Sequence, residues 1–381
     1  MKILLLGEYS GVHTNLTGAL RTNKFDVTCI HNGDGYKKLD ADFYIDYVRF
    51  STENKILNKF FSLYYILLNI VGLKGVIQIF KYRNIISKLK GYDVVQLINP
   101  IFILDYGILV NFFIFLYLRR NNSKVFLCAL GDDYFWVKSS LDKKYKYSMF
   151  DRLNIKTYRR FLSQLQWVYN PLYVLLNKYI AKRSNAVIPG LYDYYIAYSH
   201  FENCSEIIPI IMESSESKAL SNISYPINIF HGWQFGKEMR KGNDILHEVL
   251  VSIKDKYQDK VNYEIVGGLP YNEYIKKFKS CHIFIDQCFS YDCGVNGLLG
   301  MSAGKAVFSG METEVIEYYK INYYPSINAT PNKIDLYNNL EKLILNPKMI
   351  EGFSRDSISF IGKYHKSEYI IEKYQRVWRI F

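Results

Sequence analysis

Short, continuous runs of apolar residues recur along this chain, each ending in a glycine-rich or polar loop that leads into a helical segment. Lys2–Leu6, Asp26–His31, 93–97, Lys124–Ala129 and 186–188 follow this pattern in the first half. Residues 227–230, 262–266, 282–286 and Ala306–Ser309 repeat it in the second. Runs this short, apolar on both faces and separated by helices, predict parallel sheets covered on both sides. Helices are expected over Val12–Thr22, 242–256, 271–278, 295–303 and 334–345, with one long amphipathic helix over 357–381. Between 198 and 225 the pattern lapses into a polar, Glu/Ser-rich stretch, which we read as an interdomain linker. At 381 residues the chain is long for one core and fits two. The predicted class is α/β: two Rossmann-like, doubly wound domains whose strand ends face a cleft.

Charge is divided unevenly between the halves. Residues 1–200 carry 27 basic against 14 acidic side chains, whereas residues 201–381 carry 21 against 22. A one-sided positive field selects anionic partners, namely acidic lipid headgroups or a pyrophosphate-bearing acceptor. Nucleic acid is set aside, because no zinc-finger spacing, aromatic RNA-binding motif or basic repeat is present. Two apolar stretches, 60–73 and 106–118, are too short to cross a bilayer. We read them as buried helices of a globular domain, with helices lying in a membrane surface as the alternative. Met1-Lys2 runs straight into a strand, so no signal peptide is expected, and six scattered cysteines without a C-x-x-C fit reduced, buried thiols. The expected location is cytoplasmic, peripheral at the inner face of the membrane.

Candidate chemistry gathers at strand ends of the second half. Arg240-Lys241-Gly242 is expected at a helix start, where cations are disfavoured unless an anion is present, so the pair is a candidate for holding a diphosphate. Gly267-Gly268 closes the run 262–266 and permits close approach of a base or ribose. Asp286-Gln287 closes the next run, and Gly294-Val295-Asn296 opens the following helix, whose free N–H groups attract phosphate. In the first half, the loop from Gly7 through Ser10 and Gly11 to His13 lacks the G-x-G-x-x-G spacing of a dinucleotide site, which argues against NAD. His13 is either a proton carrier or an ordinary helix-start residue. Asp132-Asp133 either contacts acceptor hydroxyls and serves as a base, or caps the next helix. Asp40-Ala41-Asp42 has a metal-binding spacing but the wrong setting, and no other cluster has metal-ligand spacing, so neither metal nor cofactor is expected.

These residues resemble a GT-B glycosyltransferase, and the second half is similar to the family 4 retaining enzymes of bacterial surface-polysaccharide clusters. The likeness rests on Arg240-Lys241-Gly242, 266–271, Asp286-Gln287 through Gly294 and Asn296, 301–307, and Ser309-Gly310 with Glu312 and Glu314. Leu130 to Trp136 and the Gly7 to His13 opening look like the matching N-terminal loops. The resemblance implies an acceptor domain over 1–205, a nucleotide-sugar domain over 206–355, and a helix over 356–381 crossing back to the first. It implies transfer of a sugar from a nucleoside diphosphate sugar to a lipid-linked or glycan acceptor, the donor being a co-substrate. Arg240 and Lys241 would hold the diphosphate, Gly267 and Gly268 the base or ribose, and Gln287, Gly294 and Asn296 would lie near sugar and phosphate, with His13 near the transferred sugar. The family's two glutamates spaced E-x7-E fall at Tyr291 and Leu299, neither acidic. Asp292, one place along, would stand in for the first, and Glu312 or Glu314 would recognise the ribose. The same fold also serves sugar-nucleotide 2-epimerases and degenerate sugar-nucleotide-binding homologues.

Overall fold

The computed structural model describes residues 1–47, 50, 52–212, 218–233, 236, 238–267 and 271–381. It contains two parallel sheets. The first holds β1 (Lys2–Leu6), β2 (Asp26–His31), β3 (Phe43–Tyr44), β4 (Val94–Leu97), β5 (Lys124–Ala129) and β6 (Val187–Pro189), ordered 3-2-1-4-5-6. The second holds β7 (Ile227–Gly232), β8 (Val261–Val266), β9 (Ile283–Ile285), β10 (Ala306–Ser309) and β11 (Ile327–Asn328), ordered 11-10-9-7-8. Strand order reverses between β1 and β4 in one sheet and between β7 and β9 in the other. At such points the loops leave in opposite directions and open a crevice beyond the carboxyl ends.

Both faces of each sheet are covered, as the apolar runs require. One side of the first sheet packs Leu4, Leu6, Val95 and Leu127 against the helices Ile108–Asn121 and Pro171–Arg183. Its other side packs Ile3, Leu5 and Phe126 against Val12–Thr22 and the last helix, Ser367–Ile380. That helix buries Ile370, Ile371, Tyr374, Val377 and Trp378 on the first domain, and the Trp378 indole donates to Gln96.

Two of the expected helical segments turn out differently. The segment 357–381 is not one helix: Pro347–Tyr364 ends at His365 and Ser367–Ile380 begins after Lys366. The break is fixed by the chain that crosses between the domains, since Met212 N–H donates to His365 O and His365 Nδ1 meets Ile210 O at 2.7 Å. The stretch 60–73 is also not buried. Within the helix Lys55–Ile70 only Tyr65 is buried, while Phe60, Leu63, Ile66 and Leu67 are exposed. The second stretch is different, with Ile108, Val110, Ile114, Phe115 and Leu118 in the core. No described helix is long and apolar enough to cross a membrane.

Candidate active site

The carboxyl ends of the two sheets face each other, and a chain of polar contacts joins them. Asp132 lies in the loop after β5, and Arg240 meets it with a forked ion pair, Nη2 to Oδ1 at 2.7 Å and Nη1 to Oδ2 at 3.0 Å. The guanidinium lies 5.7 Å over the Trp136 ring. Its side chain remains 39% exposed, so it is open to a ligand. Lys241 points elsewhere: its Nζ lies 2.7 Å from Asp286 Oδ1, and Ser309 donates to the other Asp286 oxygen. This pair bridges the ends of β7 and β9, the reversal point of the second sheet.

Arg240 and Lys241 form the last turn of the short helix Glu238–Lys241, and Gly242 then starts Asn243–Lys256. The expected position at a helix start is therefore only half met. The cations also close a helix, where exposed carbonyls favour them without any anion. Gly242 has a φ of +72°, and a β-carbon there would lie 2.2 Å from Cys288 Sγ. Only glycine carries the chain past Cys288 at this point.

Beyond Lys241 the helix Val295–Ser302 begins at Gly294, which supplies no side-chain cap. Asn296 is exposed on its first turn, and Gln287 lies beside Gly294, its amide nitrogen 3.4 Å from where a β-carbon would stand. Gly267 follows β8, and Gly268 lies outside the described residues. Gln287, Gly294 and Asn296 thus gather near the β9 end, whereas Glu312 and Glu314 do not join them. Glu312 takes Lys146 at 2.7 Å, the Tyr147 hydroxyl at 2.6 Å and the Asn328 amide at 2.7 Å. Against its own burial, these donors hold its carboxyl below the usual range. Glu314 pairs with the same lysine at 2.9 Å. Both glutamates clamp the 145–147 loop of the first domain, which leaves Glu312 committed rather than free for a ribose.

The first-domain residues are placed just as definitely. Glu8, fully buried, accepts the N–H groups of Gly11 at 2.9 Å and Thr14 at 2.7 Å, and lies 3.4 Å from that of His13. An internal carboxylate thus fills the start of Val12–Thr22, where a dinucleotide phosphate would bind. Ser10 N–H donates to Asp34, and Lys37 donates to the Ser10 hydroxyl. His13 is buried, with Nδ1 2.8 Å from Gly7 O and Nε2 3.3 Å from Gln96. Burial lowers its imidazole to about 3, so the expected proton carrier near neutrality is a neutral, enclosed ring. Asp133 caps Tyr134–Leu141 through Trp136 N–H and accepts the Tyr198 hydroxyl at 2.8 Å. Burial pushes its carboxyl up to about 7. Of the two aspartates, only Asp132 faces the second domain.

Asp193, Arg152 and Asp244, not singled out in the sequence, complete the junction, and Asp292 is engaged there rather than free for a ligand. Asp193 accepts the N–H groups of Tyr291 and Asp292, both at 3.1 Å, while Asp292 accepts that of Tyr192 at 3.2 Å. Arg152 pairs with Asp244 across the same seam. Each side chain finds its partner roughly a hundred positions away, a relation with no local signature. Among the described residues, no group of three His, Cys, Asp or Glu could hold a metal ion.

No protein-family model matches the sequence, and a search of curated proteins finds no match. Solved structures do match over essentially the whole chain. Sucrose-phosphate synthase from Thermosynechococcus elongatus is similar at a TM-score of 0.60 and 12% identity, covering 100% of this chain and 99% of that one. HepE from Anabaena, in complex with UDP and glucose, is similar at 0.59 and 12%, covering 100% of both. The lipopolysaccharide outer core galactosyltransferase WaaB gives 0.51 and 10%, covering 99% of both. What this chain has in common with them is the GT-B fold of glycosyltransferases, two parallel-sheet α/β domains set end to end.

Proposed function

We propose that this chain is a glycosyltransferase that moves a sugar from a nucleoside diphosphate sugar to a lipid-linked or glycan acceptor, without a metal and with retention of configuration. One observation carries it: a partly exposed arginine, adjacent in sequence to the Lys241–Asp286 pair at the reversal point of the second sheet, reaches across the seam to a carboxylate. Asp132 occupies the anion position of Arg240, and a donor diphosphate would take its place. As the bond from the sugar to the diphosphate breaks, negative charge grows on the departing oxygen, and the guanidinium and the helix N–H groups stabilise it. That oxygen takes the proton of the acceptor hydroxyl, whose oxygen bonds to the sugar on the same face. The HepE complex with UDP and glucose supports this choice of ligand class through the shared fold.

A second reading, donor binding without turnover, draws on one departure. Tyr291 is buried with its hydroxyl accepting the Lys146 N–H, and Leu299 is exposed, where the resembled family has carboxylates. Thermal-shift screening against UDP, GDP, ADP, CMP and TDP sugars identifies the donor, because selective binding raises the unfolding temperature. Arg240→Gln keeps a hydrogen-bonding group opposite Asp132 but removes the charge, and we expect turnover to fall about 100-fold with the fold intact. Undiminished donor binding and turnover in Arg240→Gln would overturn the assignment. A wild-type protein that binds donor but neither transfers nor slowly hydrolyses it would establish the second reading.

A further inference from the structure

The helix Lys55–Ile70 touches the domain along one stripe, Asn58, Phe61, Tyr65, Leu68 and Asn69, and leaves an apolar face to solvent. Phe60 is 66% exposed and Leu67 55%; nearby, Phe80 on the following helix is 72% exposed. Soluble helices carry polar residues opposite their buried stripe, and contiguous apolar surface of this kind marks a docking site. Beside it runs a groove of about 1360 Å³, walled by Ile66 and Ile70 on one side and by Leu162, Leu165, Tyr169 and Leu175 on the other.

Charge identifies the occupant. Both walls come from segments without any acid: between Glu53 and Asp93 there are seven Lys or Arg, and between Asp151 and Asp193 another seven. Lys55, Lys59, Lys81, Lys156, Arg159, Arg160 and Lys178 among them are exposed. A second copy of the chain would bring two such fields together, and like charges oppose that contact. A surface that is apolar at its centre and anionic around it fits instead. At 16 residues the helix is shorter than a bilayer core, so it would lie in the interface.

We propose that this face, the helix Lys55–Ile70 with the adjoining groove, docks on an anionic lipid bilayer. The groove also borders the candidate site: on the helix Leu162–Tyr169, which forms one of its walls, Gln164 donates to Asp132 at 2.9 Å. That docking brings a lipid-borne acceptor to Asp132 and Arg240 rests on the glycosyl-transfer reading; the docking itself does not. The test is co-sedimentation of the full chain with phosphatidylcholine vesicles, with and without about one-third phosphatidylglycerol, at low and high salt. Binding is expected only with phosphatidylglycerol, falling roughly tenfold at high salt and by at least as much in the combined variant Phe60→Ser, Leu63→Ser, Leu67→Ser. These side chains are exposed, so the variant should keep the wild-type circular dichroism and donor-induced thermal shift. Absence of wild-type binding, binding indifferent to lipid charge, or binding unchanged in the variant would each overturn the proposal. So would a concentration-dependent dimer abolished by the same substitutions. The thermal shift with donor is read without vesicles, so failure of docking and failure of the glycosyl-transfer reading are told apart.

Discussion

Arg240 and Lys241 are neighbours with different work, and the difference follows from how buried each partner is. Asp132 retains some exposure and has Gln164 as a second partner, so Arg240 can leave it at modest cost. Asp286 is almost fully enclosed, and Lys241 is the cation that compensates it. A charge enclosed this way becomes costly once its partner is removed. Lys241→Met should therefore destabilise the protein by about 3 kcal/mol in urea titration, and adding Asp286→Asn should recover much of that loss. A Lys241→Met protein as stable as wild type but unable to bind donor would show that the lysine serves the ligand alone. The sequence offers the two cations as equals, because nothing local to 240–241 reports that Asp286 is buried and Asp132 is not.

At the scale of elements, apolar runs and glycine punctuation carried most of the information. Gly242 illustrates how far such a signal reaches: a left-handed backbone and the approach of Cys288 both exclude a side chain. Gly242→Ala should cost about 1–3 kcal/mol by thermal melts and shift Arg240 enough to weaken donor binding. An unperturbed melt would mean that the turn can relax around the methyl group. The nine longer strands announce themselves as apolar runs, whereas β3 and β11, two residues each, are too short to leave a pattern and exist only as edge additions. The terminal break at His365 was equally invisible, since it depends on Ile210 and Met212, some 150 positions earlier. The helix Lys55–Ile70 departs from expectation for a different reason. Its apolar content suits burial, and only the finished fold shows that, among the described residues, Tyr65 alone of this helix is buried.

The molecule as a whole is held closed by contacts whose strength varies with pH. At the seam Asp193 and Asp292 lie together, each accepting N–H groups from the opposite domain. Burial pushes Asp193 up to about 6; burial, with the Asp193 charge beside it, pushes Asp292 up to about 7. The groups packed around them do not offset this, for Tyr145, Tyr319 and Cys293 are neutral thiols or phenols whose own pKa values burial raises. The sign follows from linkage. An ordinary aspartate loses its proton near pH 4, so between about 4 and 7 the folded chain holds protons that the unfolded chain has released. Stability contributed by the seam is therefore complete at the acid end of that window, declines as pH rises, and is lost above about 7. Asp133, raised to about 7 within the first domain, contributes a slope of the same sign. Wild-type protein should melt at a lower temperature near pH 8 than near pH 5.5. Asp292→Asn, which keeps an acceptor at the seam but cannot ionise, should flatten that dependence even if its melting temperature at low pH is somewhat reduced. A slope identical to wild type in Asp292→Asn would locate the titrating groups elsewhere and leave the seam insensitive to pH.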